Sequence, residues 1–538
     1  MRTTLRRGSA PTPRFRLGKA AVCAALSLTL CLCGCGGPAT NSADGTDGAT
    51  TAKMLHAGSA TYFYAMSLDP ASDWDSWYLQ YYGIVENLFR VSDDLTAEPW
   101  LAASAENVDE HTWKITLRDD VKFSNGEPLD ASAVKGCWER TYETNPRAAE
   151  TLALSRIEAD GLELTLTTEN PVPALENILC DPLLCVYYVG DGIDYAAGTP
   201  ATGPYRAVDF VAEDHVDLAP NEHYWNGTPK LNAIRLTSFA DDTATALALQ
   251  NGEIQAVAMP DASVLAALQG DERFKVEQKT SSRADFIRFN MDHDLISHAA
   301  IRAAIASCID RDGYASVICG GSQVPSWGVY SATLPFGGTE GLKVAIDQCS
   351  IENASRLLDA AGITDSDGDG VREADGQPVE LTLYVCTRYG RFVSLADDLQ
   401  SRLSQVGIKL SLVPTDYFLE DAETFARDNP DMTLDSYAMA PTGNQGYFAA
   451  MSFATGASNN FGHYSNRDVD TLVAQLSDTY GEDERDEIAR QIAQIVLDDL
   501  PYVFFSNSQT TIISTVGVTG LAVAPSEYYF ITADTDIA

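Results

Sequence analysis

Positive charge is scarce in this chain. Its 538 residues carry 36 Lys and Arg against 76 Asp and Glu, a formal net charge of −40. Such a surface repels polyanions, which argues against nucleic acid and anionic lipid as partners; most of the charge reads as a well-solvated surface, with cationic solutes favoured near a binding site as a secondary reading. Catalytic signatures are missing too. No GxxxxGK[ST] phosphate loop, HExxH helix or GxSxG elbow occurs, so the common sequence marks of nucleotide hydrolysis, zinc proteolysis and serine esterolysis are absent. The histidines, at 56, 111, 215, 223, 293, 298 and 463, include no i, i+4 pair for a helix-borne metal. The cysteines form no paired CxxC array of a structural zinc site. What remains has an ordinary globular composition, with 45% hydrophobic residues and a mean hydropathy of −0.12.

The scarce cations are concentrated at the start. Arg2, Arg6, Arg7, Arg14, Arg16 and Lys19 precede an apolar or small run from Ala20 to Gly34. These are the n-region and h-region of an export signal, and the run is short of the roughly 20 residues of a permanent membrane helix. It ends in Leu32-Cys33-Gly34-Cys35, which resembles a bacterial lipobox with Cys35 as the lipidated residue. Residues 1–34 are therefore expected to be a lipoprotein signal peptide. Removing its cations takes the mature chain to about −46. Residues 35–53, rich in Gly, Ala, Thr, Ser, Asn and Asp, cannot bury enough apolar surface to fold and read as a flexible tether.

Seven cysteines follow Cys35, at 137, 180, 185, 308, 319, 349 and 386. The odd number leaves at least one thiol unpaired, and no disulfide is assigned. Asp365-Ser366-Asp367-Gly368-Asp369-Gly370 matches the first half of an EF-hand calcium loop, but Gly376 stands where the loop needs its bidentate Glu. A turn before the alternating strand 379–385 is the favoured reading of residues 365–376.

About 500 further residues are enough for two or three domains, and the patterning is α/β. Residues 113–117 alternate as a half-buried strand, and Ser124-Asn125-Gly126 forms a turn. Asp130 then caps a helix with Val134, Cys137, Trp138 and Tyr142 on one face. Ile301, Ile305, Cys308 and Ile309 mark a second helix. Leu395, Leu399 and Leu403 mark a third, leading through Gly407 into strand 408–412. Strand, helix and strand in this order suggest a parallel βαβ unit. A last helix carrying Ile488, Ile492, Ile495 and Leu500 ends at Pro501, before strand 502–505.

The run from Leu117 to Ala131, with Phe123-Ser124-Asn125-Gly126-Glu127-Pro128-Leu129 at its centre, resembles the signature of the family 5 solute-binding proteins, the extracytoplasmic receptors of peptide and nickel ABC importers. Leu68-Asp69-Pro70, Pro99-Trp100-Leu101-Ala102, Gly203-Pro204-Tyr205, Asn221-Glu222-His223-Tyr224-Trp225, Ile309-Asp310-Arg311, Ala360-Ala361-Gly362, Gly407-Ile408 and Asp498-Asp499-Leu500-Pro501 follow in the family's order. The resemblance covers about residues 54–520. It implies a two-lobed periplasmic-binding-protein-like α/β fold with an extra domain inserted in the first lobe. The first lobe is expected to comprise residues 54–92, 201–290 and 502–538, the extra domain 93–200, and the second lobe 291–501.

The function implied is capture of a solute by cleft closure and delivery to a permease whose partner subunits hydrolyse ATP. No covalent chemistry and no cofactor belong to it, and a monomer is expected. A peptide-class solute is the first expectation, a nickel chelate the second, and an exported hydrolase the alternative from another class. Peptide-binding relatives place an aspartate in the second lobe for the terminal amine. The corresponding stretch, 437–444, has no carboxylate, and Asp73, Asp75 and Asp435 are available to replace it. Segments 441–448 and 459–462 resemble the nickel branch, in which arginines and aromatic rings hold a carboxylate-bearing chelator. Arg147 matches one gripping arginine, whereas the position of the second falls near Cys185, so half of that clamp is missing. Arg388 is the candidate for a carboxylate contact from the other lobe. Tyr389, Tyr437, Asn444, Tyr447, Asn459, Asn460 and Phe461 complete the expected ligand-binding set. His463 joins it as a metal ligand only in the nickel case. If Cys35 holds the lipid, Cys35→Ala should move the protein from the membrane fraction to the soluble fraction while solute affinity is unchanged. A variant that is still membrane-bound after signal cleavage would refute the anchor.

Overall fold

The computed structural model describes residues 53–346, 348–416 and 422–538. The expected signal peptide, Cys35 and nearly all of the tether lie outside the described residues.

Strand-forming segments far apart in sequence assemble into one eleven-stranded sheet. From one edge, ten strands run 409–415, 380–386, 432–438, 274–289, 502–515, 256–258, 54–59, 233–238, 215–220 and 205–211; Gln323–Pro325 pairs alongside 502–515. The parallel pairing expected of the βαβ unit is present. Glu380–Cys386 and Lys409–Thr415 run in register either side of helix Gly390–Ser404, whose Leu395, Leu399 and Leu403 are buried. Two strands dominate the centre. Phe274–Phe289 and Tyr502–Thr515 pair antiparallel over almost their whole length, and each is too long to belong to one end of the sheet. Met432–Ala438 joins them at one end and Ala256–Ala258 at the other.

Two main apolar cores flank this sheet. One gathers residues from Leu55 to Ile531, and the other is built from residues between Ile287 and Phe505. A separate antiparallel sheet, in the order 102–109, 112–117, 163–168, 154–160, covers helix Ala131–Thr144. Asp130 caps that helix as its sequence predicts, its carboxylate accepting from the Ala133 amide at 2.8 Å, while Val134, Cys137 and Trp138 are buried. The last long helix, Glu482–Asp499, stops where Leu500 turns left-handed (φ +51°) before Pro501. The seven cysteines of the described residues are free thiols, all buried but Cys349.

The stretch read as a turn at 365–376 is one. Asp365, Asp367 and Asp369 accept from loop amides at 2.6–3.1 Å. Asp375 and Gly376 both have positive φ, as the tight hairpin joining Glu373–Ala374 to Gln377–Pro378 requires. Carboxylate oxygens of Asp365, Asp367, Asp369 and Glu373 nonetheless cluster at the surface.

A buried carboxylate, Glu86, gathers donors from distant parts of the chain. Glu86 accepts from the indole N–H of Trp100 (2.8 Å) and of Trp225 (3.1 Å) and from the Tyr224 hydroxyl (3.2 Å). Arg90 and Arg118 lie over the two indoles, each 4.2 Å from a ring centre. No cation among the described residues is in ion-pair contact with Glu86, so burial outweighs its three donors and raises its carboxyl to about 7. Because the folded value lies above the ordinary glutamate range, the folded state binds the extra proton. Its contribution is therefore full below pH 4.5 and is lost as pH rises through 7, on the order of 3 kcal/mol. Thermal unfolding from pH 5 to 8 should show stability falling with pH, and Glu86→Gln should remove that part of the slope.

Candidate ligand-binding site

The central strand pair places the first charged group of the site. Between Thr280 and Ala284 the register shifts, so that three residues of one strand face a single residue, Ser508, of the other. A bulge of this kind re-aims the side chains it carries, and here it turns out Arg283. The Arg283 guanidinium meets the Glu527 carboxylate at 2.9 to 3.2 Å through Nε and Nη2. Glu527 is almost fully buried and also accepts from the Tyr62 hydroxyl (3.1 Å), and its carbonyl accepts from the Trp77 indole (2.9 Å). Burial alone would lower Arg283. The adjoining Glu527 charge reverses the effect, and the net shift is upward.

A second arginine approaches without such a partner. Arg147 opens the short helix Arg147–Thr151 behind Pro146. Its guanidinium lies over the exposed Trp74 indole, 3.6 Å from the ring centre, and donates to the Asp73 carbonyl. Among the described residues no carboxylate lies within ion-pair distance. Burial lowers this arginine, with Asp181, Asp73 and Tyr447 acting against that shift. Tyr447 is raised by burial, then by Tyr437 and Asp181. Its ring sits 6.5 Å from that of Tyr437. Tyr389 acts electrostatically on Arg283 and on Tyr78.

Arg147, Tyr389, Tyr437 and Tyr447 therefore belong to one neighbourhood, centred on the Arg283–Glu527 pair. Asn444 lies in the turn that carries Tyr447, its Oδ1 accepting from the Gly446 amide. The turn approaches closely where Gly443 has φ +76° and a Cβ would overlap the Leu95 carbonyl oxygen, while Asn177 donates to the Thr442 carbonyl at 2.8 Å.

The other expected residues have different surroundings. Arg388 is exposed; three residues on, Arg391 turns inward to Asp285 (3.0 Å). Asn460 is buried as a loop clamp, bonding the Ala454 and Tyr464 carbonyls and the Tyr464 amide. Asn459 bonds Ser452. Phe461 stacks on Phe425 at 6.1 Å with Arg288 over its face. His463 is exposed, left-handed (φ +56°) and 2.6 Å from Asp292. Of the three acids available for an amine, Asp75 is buried under Met66 and Ser67, Asp435 pairs with Arg288, and Asp73 is exposed and holds Arg147 through its carbonyl. Cys185, near which a second gripping arginine was expected, is a fully buried thiol.

Sequence reasoning missed Trp74, Trp77, Tyr78, Asp181, Arg283 and Glu527. The aromatic density of 74–82 and of Tyr528-Tyr529-Phe530 was the available signal for the aromatic part.

Comparison with known proteins gives this geometry its context. The model of the bacterial extracellular solute-binding proteins, family 5 (middle), matches residues 96–459. The chain belongs to this family. The nickel-binding protein NikA of Staphylococcus aureus is 25% identical over 457 residues, covering 85% of this chain and 89% of the relative. Its crystal structure in complex with Ni(L-His)2 aligns with a TM-score of 0.73, over 90% of this chain and all of that one. A nickel ABC transporter structure from Bacillus halodurans is 26% identical with a TM-score of 0.79, again over 90% and 100% of the two chains. The glutathione-binding protein GsiB of Pectobacterium atrosepticum is 23% identical over 461 residues, covering 82% and 87%. The fold is the two-lobed α/β fold of these binding proteins. The relatives are solute-binding proteins of ABC importers, not enzymes, and act outside the cytoplasm. No helix of the described residues is long and apolar enough to cross a membrane.

Removing one member of the buried pair strands the other. Glu527→Ala should lower stability by about 3–5 kcal/mol in chemical denaturation, whereas Arg283→Met with Glu527→Met should recover much of it.

Proposed function

We propose that this chain is the lipid-anchored receptor of an ABC importer and that its cargo is a small carboxylate-bearing nickel chelate. One observation carries the reading. Arg147 is a partly buried guanidinium, already stacked on Trp74, with no carboxylate of the described residues in ion-pair contact. A ligand carboxylate completes it, through the planar fork that suits bidentate binding. Arg283 is neutralised by Glu527 and adds a polarising wall, and Tyr389, Tyr437 and Tyr447 provide the apolar enclosure. The nickel-binding relatives support the choice of cargo.

In this reading residues 54–92, 201–290 and 502–538 form one lobe, 93–200 the extra domain and 291–501 the other lobe. The long central strands link the lobes. A chelate touching both walls binds the closed form better, and the population shifts toward closure. The permease reads that form, ATP is consumed by separate subunits, and the receptor acts as a monomer without covalent chemistry. The lipid on Cys35 keeps the search close to the membrane and sets the effective concentration at the permease.

A peptide-class solute is the second reading, favoured by the glutathione-binding relative. Native mass spectrometry of the purified protein should show a retained nickel species, and Arg147→Ala should weaken chelate binding at least tenfold, about 1.4 kcal/mol. Retention of a defined peptide instead, with unaltered chelate binding in the variant, would overturn the nickel assignment.

A further inference from the structure

Two thiols far apart in sequence are brought to one corner of the fold. Cys308 follows the last residue of helix Ala299–Ser307, and Cys349 precedes Ser350, which caps helix Ile351–Ala360. The ends of these helices are tied together. The Ser350 amide donates to the Ser307 carbonyl at 2.8 Å, and Asn353 Nδ2 donates to Ser307 Oγ at 3.1 Å. Covalent geometry on either side of that backbone bond keeps the Cα atoms of Cys308 and Cys349 within about 8 Å of each other. A disulfide spans roughly 4.4–6.8 Å, so a small adjustment at one end closes the pair. Arg402 adds a second tie, its Nη1 donating to the Cys349 sulfur at 3.3 Å and its Nη2 to Asp310 at 3.0 Å. Cys349 is the exposed member and Cys308 the buried one.

The chain between the two cysteines is a strap across the central strands. Gln323–Pro325 pairs with residues 506–508, opposite the register shift that frees Arg283. The Ser326 amide donates to the Phe505 carbonyl (3.1 Å), the Thr333 hydroxyl to the Thr280 carbonyl (2.9 Å) and the Tyr330 hydroxyl to the Gln445 carbonyl (3.4 Å). We propose that Cys308 and Cys349 form a disulfide that closes this strap into a loop and clamps it over the crossing strands. The relatives act outside the cytoplasm, where disulfides persist.

The oxidant is an external disulfide, for which oxidised glutathione serves. Cys349, the accessible thiol, attacks it and releases one half; Cys308 then attacks the Cys349 sulfur and releases the other. One S–S bond breaks and one forms, the external disulfide takes up two electrons, and the two thiol protons pass to its released halves. Burial raises the Cys308 thiol to about 12, so exchange is fastest while the chain is still folding. Cys137 and Cys185 are also neighbours, but both are fully buried, and the Cys137 sulfur is engaged by the Cys185 carbonyl (3.5 Å) and the Tyr187 amide (3.4 Å).

The test is to unfold the mature protein and refold it in excess oxidised glutathione or in dithiothreitol, then alkylate and digest it with trypsin. Peptides 303–311 and 344–356 each hold a single cysteine. After oxidative refolding they should appear as one linked species that separates on reduction, while Cys137 and Cys185 are alkylated as thiols. The oxidised protein should unfold a few degrees higher than the reduced one. Cys349→Ser, a change at an exposed position, should unfold at the same temperature in both buffers. Recovery of the two peptides unlinked, whether alkylated or carrying glutathione, or linkage of Cys349 to another cysteine, would overturn the proposal. A linked species with no rise in unfolding temperature would overturn the clamping role.

Discussion

A guanidinium and a carboxylate withdrawn from water govern the centre of this molecule. Arg283 leaves the bulged strand and meets Glu527, which is almost fully buried in the C-terminal segment, and Tyr62 and Trp77 close around them. The pair joins the N-terminal aromatic segment, the crossing strand and the C-terminus through one set of polar contacts. Desolvation makes either charge expensive alone, so the segments bearing them are held to a common geometry. Glu86 does something similar, a carboxylate without a cation that relies on two indoles and a phenol.

The net charge of the chain and the charge of its site have different signs of consequence. An excess of acid over the surface is compatible with a site whose distinctive unpaired group is Arg147, because exposed charges are screened over about 10 Å while a half-buried guanidinium on an indole is not. The local field is thus set by a few desolvated groups. Arg283 is cancelled by Glu527 and Arg391 by Asp285. Arg147 is left without a carboxylate of the described residues in ion-pair contact.

What could be read from the chain without its structure follows the range of the forces involved. Asp130 as a cap, the helix bearing Leu395, Leu399 and Leu403, and the parallel strands around it are decided by residues a few positions apart. Their periodicity and capping chemistry are printed locally. Arg283 was invisible because its exposure from the sheet depends on pairing with residues 507–509, more than 200 positions away. Arg388 and Arg391 could not be told apart by type; only the start of helix Gly390–Ser404 decides which faces Asp285. Asn459, Asn460 and Phe461 carried a family-like pattern, yet their side chains lock a loop and fill a small aromatic cluster.

In the proposed receptor, closure is the step at which these separate features acquire a common purpose. Tyr437 and Tyr447 lie on or next to the strand end that pairs with Arg283–Phe289, whereas Trp74, Trp77 and Tyr78 come from the N-terminal segment. Neither set alone encloses a solute, and in the proposed mechanism flexing at the crossing of the long strands brings the two together. The ladder between the two long strands is interrupted at Ser281–Arg283 and again between Asp285 and Phe286, opposite Phe505. A solute that bridges Arg147 to the tyrosines needs only a few kcal/mol of preference for the closed arrangement to shift the population by orders of magnitude. Charge-assisted hydrogen bonds to one guanidinium, contributing about 1.5–3 kcal/mol each, are of that size. The orientation of a single ligand carboxylate is therefore enough to couple recognition to shape.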